Sequence, residues 1–313
     1  MIDAHAHVHD AAFDADREGV LERAWSNGVR TIITIGTDLE ESQRAVACAE
    51  TQEHIWASVG LHPHFFDEEY GIWDVEYREK TLVHKESHIQ HVTFDILSKG
   101  KERIQEYTEQ LRKVAESSSK VVAIGECGLD YYRRQLTANS QQETITDEQK
   151  AFQREGFLAQ IGIAESLGLP LIIHTRPSEG SMDAYEDLFD LLKANSYKLT
   201  TILHCYMGDV AATEKFLSLP NLWFSFTGNI TYKAKEGSGR DETLRMIPID
   251  RMLVETDCPY LAPVPYRGQR NEPAYVAEVV RKIAEMQQMA YTEVNELIDA
   301  SVRRIFPRIF ENR

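Results

Sequence analysis

The sequence predicts an α/β chain folded as a (β/α)8 TIM barrel, and three observations carry that prediction. Short β-branched or apolar runs alternate with helical stretches along the chain, which is the pattern of parallel βα units and not of a sandwich. The runs fall at 1–7, 31–35, 55–61, 121–126, 170–174, 201–204, 222–226 and 252–257, and eight strands close a barrel. Several of the runs end on a histidine or a carboxylate, at the end of a barrel strand where such enzymes gather their chemistry.

Taken in order, the first run contains DAHAH, which places His5 and His7 two residues apart on one side of a strand. TIITI at 31–35 and IWASVGL at 55–61 are apolar or β-branched. VVAIG leads into Glu126, PLII into His174, TIL into His204 and MLVET into Asp257, while LWFSF fills 222–226. Helical patterns occupy 147–167, 181–195, 209–217, 272–288 and 292–305. Thr146 opens the segment TDEQ, an N-cap acceptor followed by a returning Gln149.

One connection is too long. Residues 65–120 are rich in charge where a barrel needs a short loop and one helix, so they read as an insertion between the third and fourth strands of a single 1–313 domain. His84, His88 and His91 within it have the spacing of a helical metal site, yet no carboxylate or cysteine is arranged with them, and a charged surface helix accounts for them better.

Composition narrows the function classes. Hydrophobic residues are 42% and charged residues 27% of the 313, a soluble globular balance, and no apolar run has membrane-spanning length. Met1 is followed by Ile2 and Asp3 without a basic leader, so a cytoplasmic protein is expected. Cys48, Cys127, Cys205 and Cys258 form no C-x-x-C pair, which excludes a zinc ribbon or redox motif and leaves reduced, packed thiols. A net charge of −16 repels a polyanion, so bound metals and a few arginines must supply the attraction to any phosphate-bearing substrate.

The chemistry lies in the set of strand-end residues. A lone H-x-H is weak evidence in a chain with 11 histidines, and one isolated strand-end histidine reads as a buried group with a satisfied partner. His5, His7, Glu126, His174, His204 and Asp257 together do not. Four imidazoles and two carboxylates suit zinc, manganese, cobalt or iron, and magnesium where waters complete the shell. Six ligands exceed one tetrahedral ion and fit two divalent metal ions bridged by Glu126, with Asp257 placed to orient or deprotonate the attacking water. Arg176 shares a strand face with His174 and is a candidate phosphate contact, or a partner of a neighbouring carboxylate. His62 is a candidate substrate contact and His64 a peripheral residue. Tyr131 and Arg267 fall in loops after the fourth and eighth strands and are candidate substrate contacts or ordinary loop packing. Asp130 is read as a brace for its loop.

The segments DAHAHVHD, VGLHPH at 59–64, AIGECGLDYY at 123–132, PLIIHTR at 170–176, ILHCYMGD at 202–209 and LVETDCPYLAPVPYRGQRNEP at 253–273 make the chain resemble the TatD family of metal-dependent deoxyribonucleases, within the wider amidohydrolase-like barrels. The resemblance implies one ion among His5, His7, Glu126 and Asp257, and a second among Glu126, His174 and His204. It also implies hydrolysis of DNA phosphodiesters, exonucleolytic and on single-stranded or frayed ends. The 65–120 segment and the polar 133–146 stretch are longer than the family pattern. A barrel that cleaves amides, lactones or phosphotriesters is the alternative within enzymes, although such relatives often carry a bridging lysine where this chain has Glu126. A non-catalytic binding barrel would lack ligands, and none of the six is missing.

Overall fold

The computed structural model describes residues 1–68, 89–133, 144–195, 199–234, 237 and 239–311; of 67, 68 and 89–99 only the backbone is described. Eight strands run in chain order as one parallel sheet: β1 (Ile2–Ala6), β2 (Thr31–Ile35), β3 (Ile55–Val59), β4 (Val121–Asp130), β5 (Leu171–Arg176), β6 (Thr201–Leu203), β7 (Leu222–Phe226) and β8 (Met252–Val254). The seam between β8 and β1 is closed by chain just beyond them. Asp257 N–H donates to His5 O (2.9 Å) and His7 N–H to Cys258 O (2.8 Å), while Thr256 donates both its N–H and its hydroxyl to the Asp3 carboxylate (2.9 and 2.6 Å). The expected barrel is therefore present.

The helices are α1 (Arg17–Ser26), α2 (Leu39–Thr51), α3 (Phe65–Glu68), α4 (Ile89–Glu116), α5 (Asp147–Leu167), α6 (Asp183–Asn195), α7 (Val210–Leu217), α8 (Arg240–Met246), α9 (Val276–Gln287) and α10 (Tyr291–Ile305). Their starts are written locally. Thr146 and Gln149 form the capping box expected at α5, and Asp38 and Asp209 cap α2 and α7 by accepting from Glu41 N–H and Ala212 N–H. Gly168 ends α5 in the left-handed conformation.

Several boundaries differ from the sequence reading. β4 runs four residues past Glu126, to Asp130, because its outer part pairs with β5 through Asp130 and Arg176. β1, β6 and β8 stop short of His7, His204 and Asp257, which stand on the first turns beyond the sheet. The helix expected over 272–288 divides into a 3-10 turn at Pro273–Tyr275 and α9. The insertion is also narrower than 65–120: Ile104, Leu111, Val114 and Ala115 of α4 are buried, and α4 packs on α2, α5, β3 and β4 as the ordinary crossover helix. His84 and His88 lie outside the described residues, and so does the His91 side chain.

Two apolar cores flank the sheet. The larger lies between strands and helices, with Phe152, Phe157, Phe216 and Phe224 fully buried in it. The smaller fills the barrel itself, where Ile2, Ala4, Ile33, Val122, Ile172, Ile202 and Leu253 meet Val302, Ile305, Phe306 and Ile309 from α10 and the turn after it. Burial of this kind contributes about 25 cal/mol per Å2 of apolar surface removed from water.

Candidate metal centre

Strict two-residue alternation would not deliver the site. Ala4 packs in the interior core, yet the adjacent His5 also faces the lumen, where its ring stacks on that of His204 at 3.7 Å. The β1–β2 register shifts between Asp3 and Ala6, and the β4–β5 register shifts between Ile124 and Cys127, the two places where ligands are borne. Bulges re-aim side chains at barrel rims in this way. At β4 the bulge needs glycine: Gly125 has φ 144°, and a Cβ there would lie 2.3 Å from Ile172 O. Gly60 presses its backbone on the same point, where a Cβ would fall 2.5 Å from Gly125 C. Ser58 Oγ donates to Gly125 O (2.6 Å) and Glu126 N–H to Gly36 O (3.2 Å), so Glu126 is held from β3 and from the turn after β2.

Glu126 stands at the centre. Its Oε1 is 2.9 Å from His174 Nδ1, 3.6 Å from His62 Nε2 and 3.7 Å from His204 Nε2; its Oε2 is 3.4 Å from His5 Nε2. Asp257 Oδ1 lies 3.3 Å from His7 Nε2 and 3.6 Å from His5 Nε2. Most of these separations exceed a hydrogen bond and match the roughly 3.3 Å between ligands that share a tetrahedral ion at about 2.0–2.1 Å.

The outer nitrogens are spoken for. His7 Nδ1 bonds Ile35 O (2.9 Å), His204 Nδ1 lies 2.8 Å from Glu255 Oε1, and His174 Nε2 lies 3.0 Å from Asp130 Oδ2. Such partners fix imidazole orientation at metal sites. Glu255 is buried and anchored by Ser225 Oγ (2.5 Å) and Cys205 N–H (2.7 Å). His5 differs: it is fully buried, and neither ring nitrogen has a hydrogen-bond partner. A buried imidazole without a hydrogen-bond partner, facing two carboxylates, fits a cation ligand, and the donor set suits a divalent ion.

Electrostatics agrees. Burial pushes the Glu126 carboxyl up, but the His204 charge and the His174 hydrogen bond outweigh it and hold it well below the usual carboxylate range. Burial likewise works against charge on His204, yet Glu255 and Glu126 raise it to about 10. His174 rises to about 9 against its own desolvation, through Asp130 and Glu126. Burial and then the neighbouring His204 pull His5 down, favouring its neutral form. Asp257 is held low by His7 in spite of burial. The carboxylates thus stay ionised and demand cations.

The groups His5–His7–Glu126, His5–His204–Asp257 and Glu126–His174–His204 each gather ligand atoms within 4.8 Å, and so does His62–Asp130–His174. All six residues expected from the sequence converge at the carboxyl-terminal mouth, and five of them line a cleft of about 930 Å3, with His5 behind them. His62, His64 and Arg176 line the same cleft, Arg176 stacked on Tyr132 at 3.9 Å. Tyr131 turns outward: it is buried, and its hydroxyl donates to Asp187 (2.7 Å). Arg267 lies exposed over Tyr232 and is not part of the cleft wall. His64, read as peripheral, lies 3.1 Å from Asp130 in the cleft wall. Glu255, Gln153 and Gln160 went unnoticed in the sequence. Only the position of Glu255 two residues before Asp257, just after β8, could have pointed to it.

The fold and this cluster define a parallel barrel with histidine and carboxylate side chains at its mouth placed to bind metal. The chain belongs to the TatD-related DNase family, whose model matches residues 2–307. It is 32% identical over 308 residues to a metal-dependent hydrolase, YabD, of Bacillus subtilis, covering 98% of each chain. It is 30% identical over 312 residues to the 3'-5' ssDNA/RNA exonuclease TatD of Pectobacterium parmentieri, covering 98% of this chain and 99% of that one. The crystal structure of the TatD homologue YJJV of Escherichia coli superposes with a TM-score of 0.73 at 26% identity, covering 98% of both chains. Among the described residues no helix is long and apolar enough to cross a membrane.

Proposed function

We propose that this protein is a cytoplasmic nuclease that hydrolyses DNA phosphodiesters from single-stranded or frayed ends with two divalent ions. The observation that carries the reading is Glu126, shared between the His5–His7 group and the His174–His204 group, as a bridging carboxylate must be. His5, His7, Glu126 and Asp257 would hold one ion, and Glu126, His174 and His204 the other. Bound there, the ions lower the pKa of a coordinated water and offset phosphate charge.

The chain's own groups do the rest. Asp257, at the cleft wall, would orient the attacking water and take its proton on its carboxylate. Asp130 and Glu255 keep His174 and His204 turned toward Glu126. His62, His64 and Arg176 receive the phosphate, with the Arg176 guanidinium held flat against Tyr132. The nucleic-acid substrate is supported by the family's description as DNase and by the relative named as an ssDNA/RNA exonuclease.

The test is metal content and chelation. The purified protein is expected to carry or require about two divalent ions per chain by elemental analysis, and to lose phosphodiester hydrolysis in excess chelator until manganese or magnesium is returned. Full activity in chelator would end this reading.

A further inference from the structure

The cleft is walled chiefly by carboxylate and imidazole side chains, with Phe65, Tyr107 and Tyr260 the other aromatic groups, and of these Tyr260 is the most open. It is 59% exposed, one of three large apolar side chains so exposed among the described residues, and of those three it alone lines the cleft. An open tyrosine ring on a cleft wall offers a face on which a planar group can stack. Its mount is rigid. Tyr260 N–H donates to Asp257 O (2.9 Å), and buried Asn271 donates Nδ2 to both Tyr260 O (2.6 Å) and Thr256 O (2.8 Å). These bonds fix the main chain, and the ring lies 6.3 Å from the His7 ring, edge-on, with more than half of the residue open.

The charges near Tyr260 say what can lie on it. Asp10, Asp38, Glu40 and Glu41 line the same cleft, and Asp10, Asp257 and Glu41 add to burial in raising the Tyr260 phenol. A phosphate is repelled there; a flat, uncharged base with exocyclic N–H donors is not. The groups able to donate a hydrogen bond to a phosphate, His62, His64 and Arg176, are carried by β5 and the chain after β3 instead.

We infer that Tyr260 is the stacking platform for the terminal base of a single-stranded substrate, binding the nucleoside at the chain end while its neighbouring phosphate faces His62, His64 and Arg176. This rests on the nucleic-acid reading above.

The test compares short oligonucleotides that carry either a natural base or an abasic residue at the terminal nucleoside, prepared at each end in turn. The substitutions are Tyr260→Phe and Tyr260→Ala, with folding checked by circular dichroism. In the wild-type protein kcat/KM is expected to favour the natural end about tenfold, chiefly through KM, and Tyr260→Phe keeps that ratio. Tyr260→Ala brings it close to one. A ratio near one in the wild-type protein, or an unchanged ratio in Tyr260→Ala, overturns the platform and leaves the nuclease reading standing. No cleavage of any oligonucleotide, with manganese or magnesium supplied, removes the nucleic-acid reading itself and the platform with it.

Discussion

The two ends of the barrel are built from the same strands and differ in what fills them. At the amino-terminal end Ile2, Ile33, Val122, Ile172, Ile202 and Leu253 close on Ile305, Phe306 and Ile309, all buried and apolar. A few residues further along, β1 presents His5, β4 presents Glu126, and the chain beyond β6 and β8 presents His204 and Asp257. One end is satisfied by packing alone. The other gathers ionised carboxylates and an imidazole without a hydrogen-bond partner, an arrangement stable only because the first end fixes the strands. Damage at the mouth should therefore read out in turnover, and damage at the base in melting.

The largest effect is expected at Asp257. The Asp257→Asn substitution keeps the shape and tolerates the left-handed backbone found there (φ 55°), but it removes the proton acceptor and a ligand charge. Turnover should fall by roughly 10^3-fold, within the range for a lost acid–base group, while the melting temperature shifts by only a few degrees. A variant with a tenth of wild-type turnover would show that the mouth is not organised around this carboxylate.

At the opposite end, Phe306→Ala should cost about 3–5 kcal/mol in urea unfolding, because Phe306 is 1% exposed and plugs the barrel. Turnover per folded molecule should stay within about twofold. If Phe306→Ala lowers kcat as strongly as it lowers stability, the two ends are coupled and the division drawn above is false.

The apolar end was the more legible in sequence. Runs such as TIITI and LWFSF announce strands by composition, and the ladder confirms both. The six ligands were legible by residue type at the ends of such runs, but the reason for their placement was not. Glu126 closes an apolar run in sequence, yet it lies inside β4, since the strand's true end is set by pairing with β5, some 45 residues away, and not by its own composition. The partners that orient the ligands were hidden for the same reason. Glu255 meets His204 across a separation of 51 positions, and nothing local marks it. Tyr131, read as a substrate contact or as loop packing, is a residue next to the site whose ring points into the outer core, where Lys150 and Asp187 receive it.

Gln153 offers the smallest and most discriminating change, because it belongs to neither end. It is a fully buried residue of α5 whose amide pairs both ways with the backbone of Asp130: Asp130 N–H donates to Oε1 and Nε2 donates to Asp130 O, each at 2.9 Å. Two turns along the same helix, Gln160 does the same for Leu61, next to His62. The outer helix thus grips the mouth at two points without touching its cleft. Gln153→Leu preserves volume and strands two buried backbone groups, which should cost about 1–3 kcal/mol. Since Asp130 holds both His174 and His64, the variant should also lose up to about tenfold in turnover, far less than Asp257→Asn. Gln153→Glu keeps the acceptor for Asp130 N–H, and in its protonated form it can donate to Asp130 O, so it should regain activity as pH falls. Urea unfolding and kcat measured on the same preparations decide the matter: a stability loss with wild-type turnover means that Asp130 is held by its histidines alone, and the helix only packs behind it.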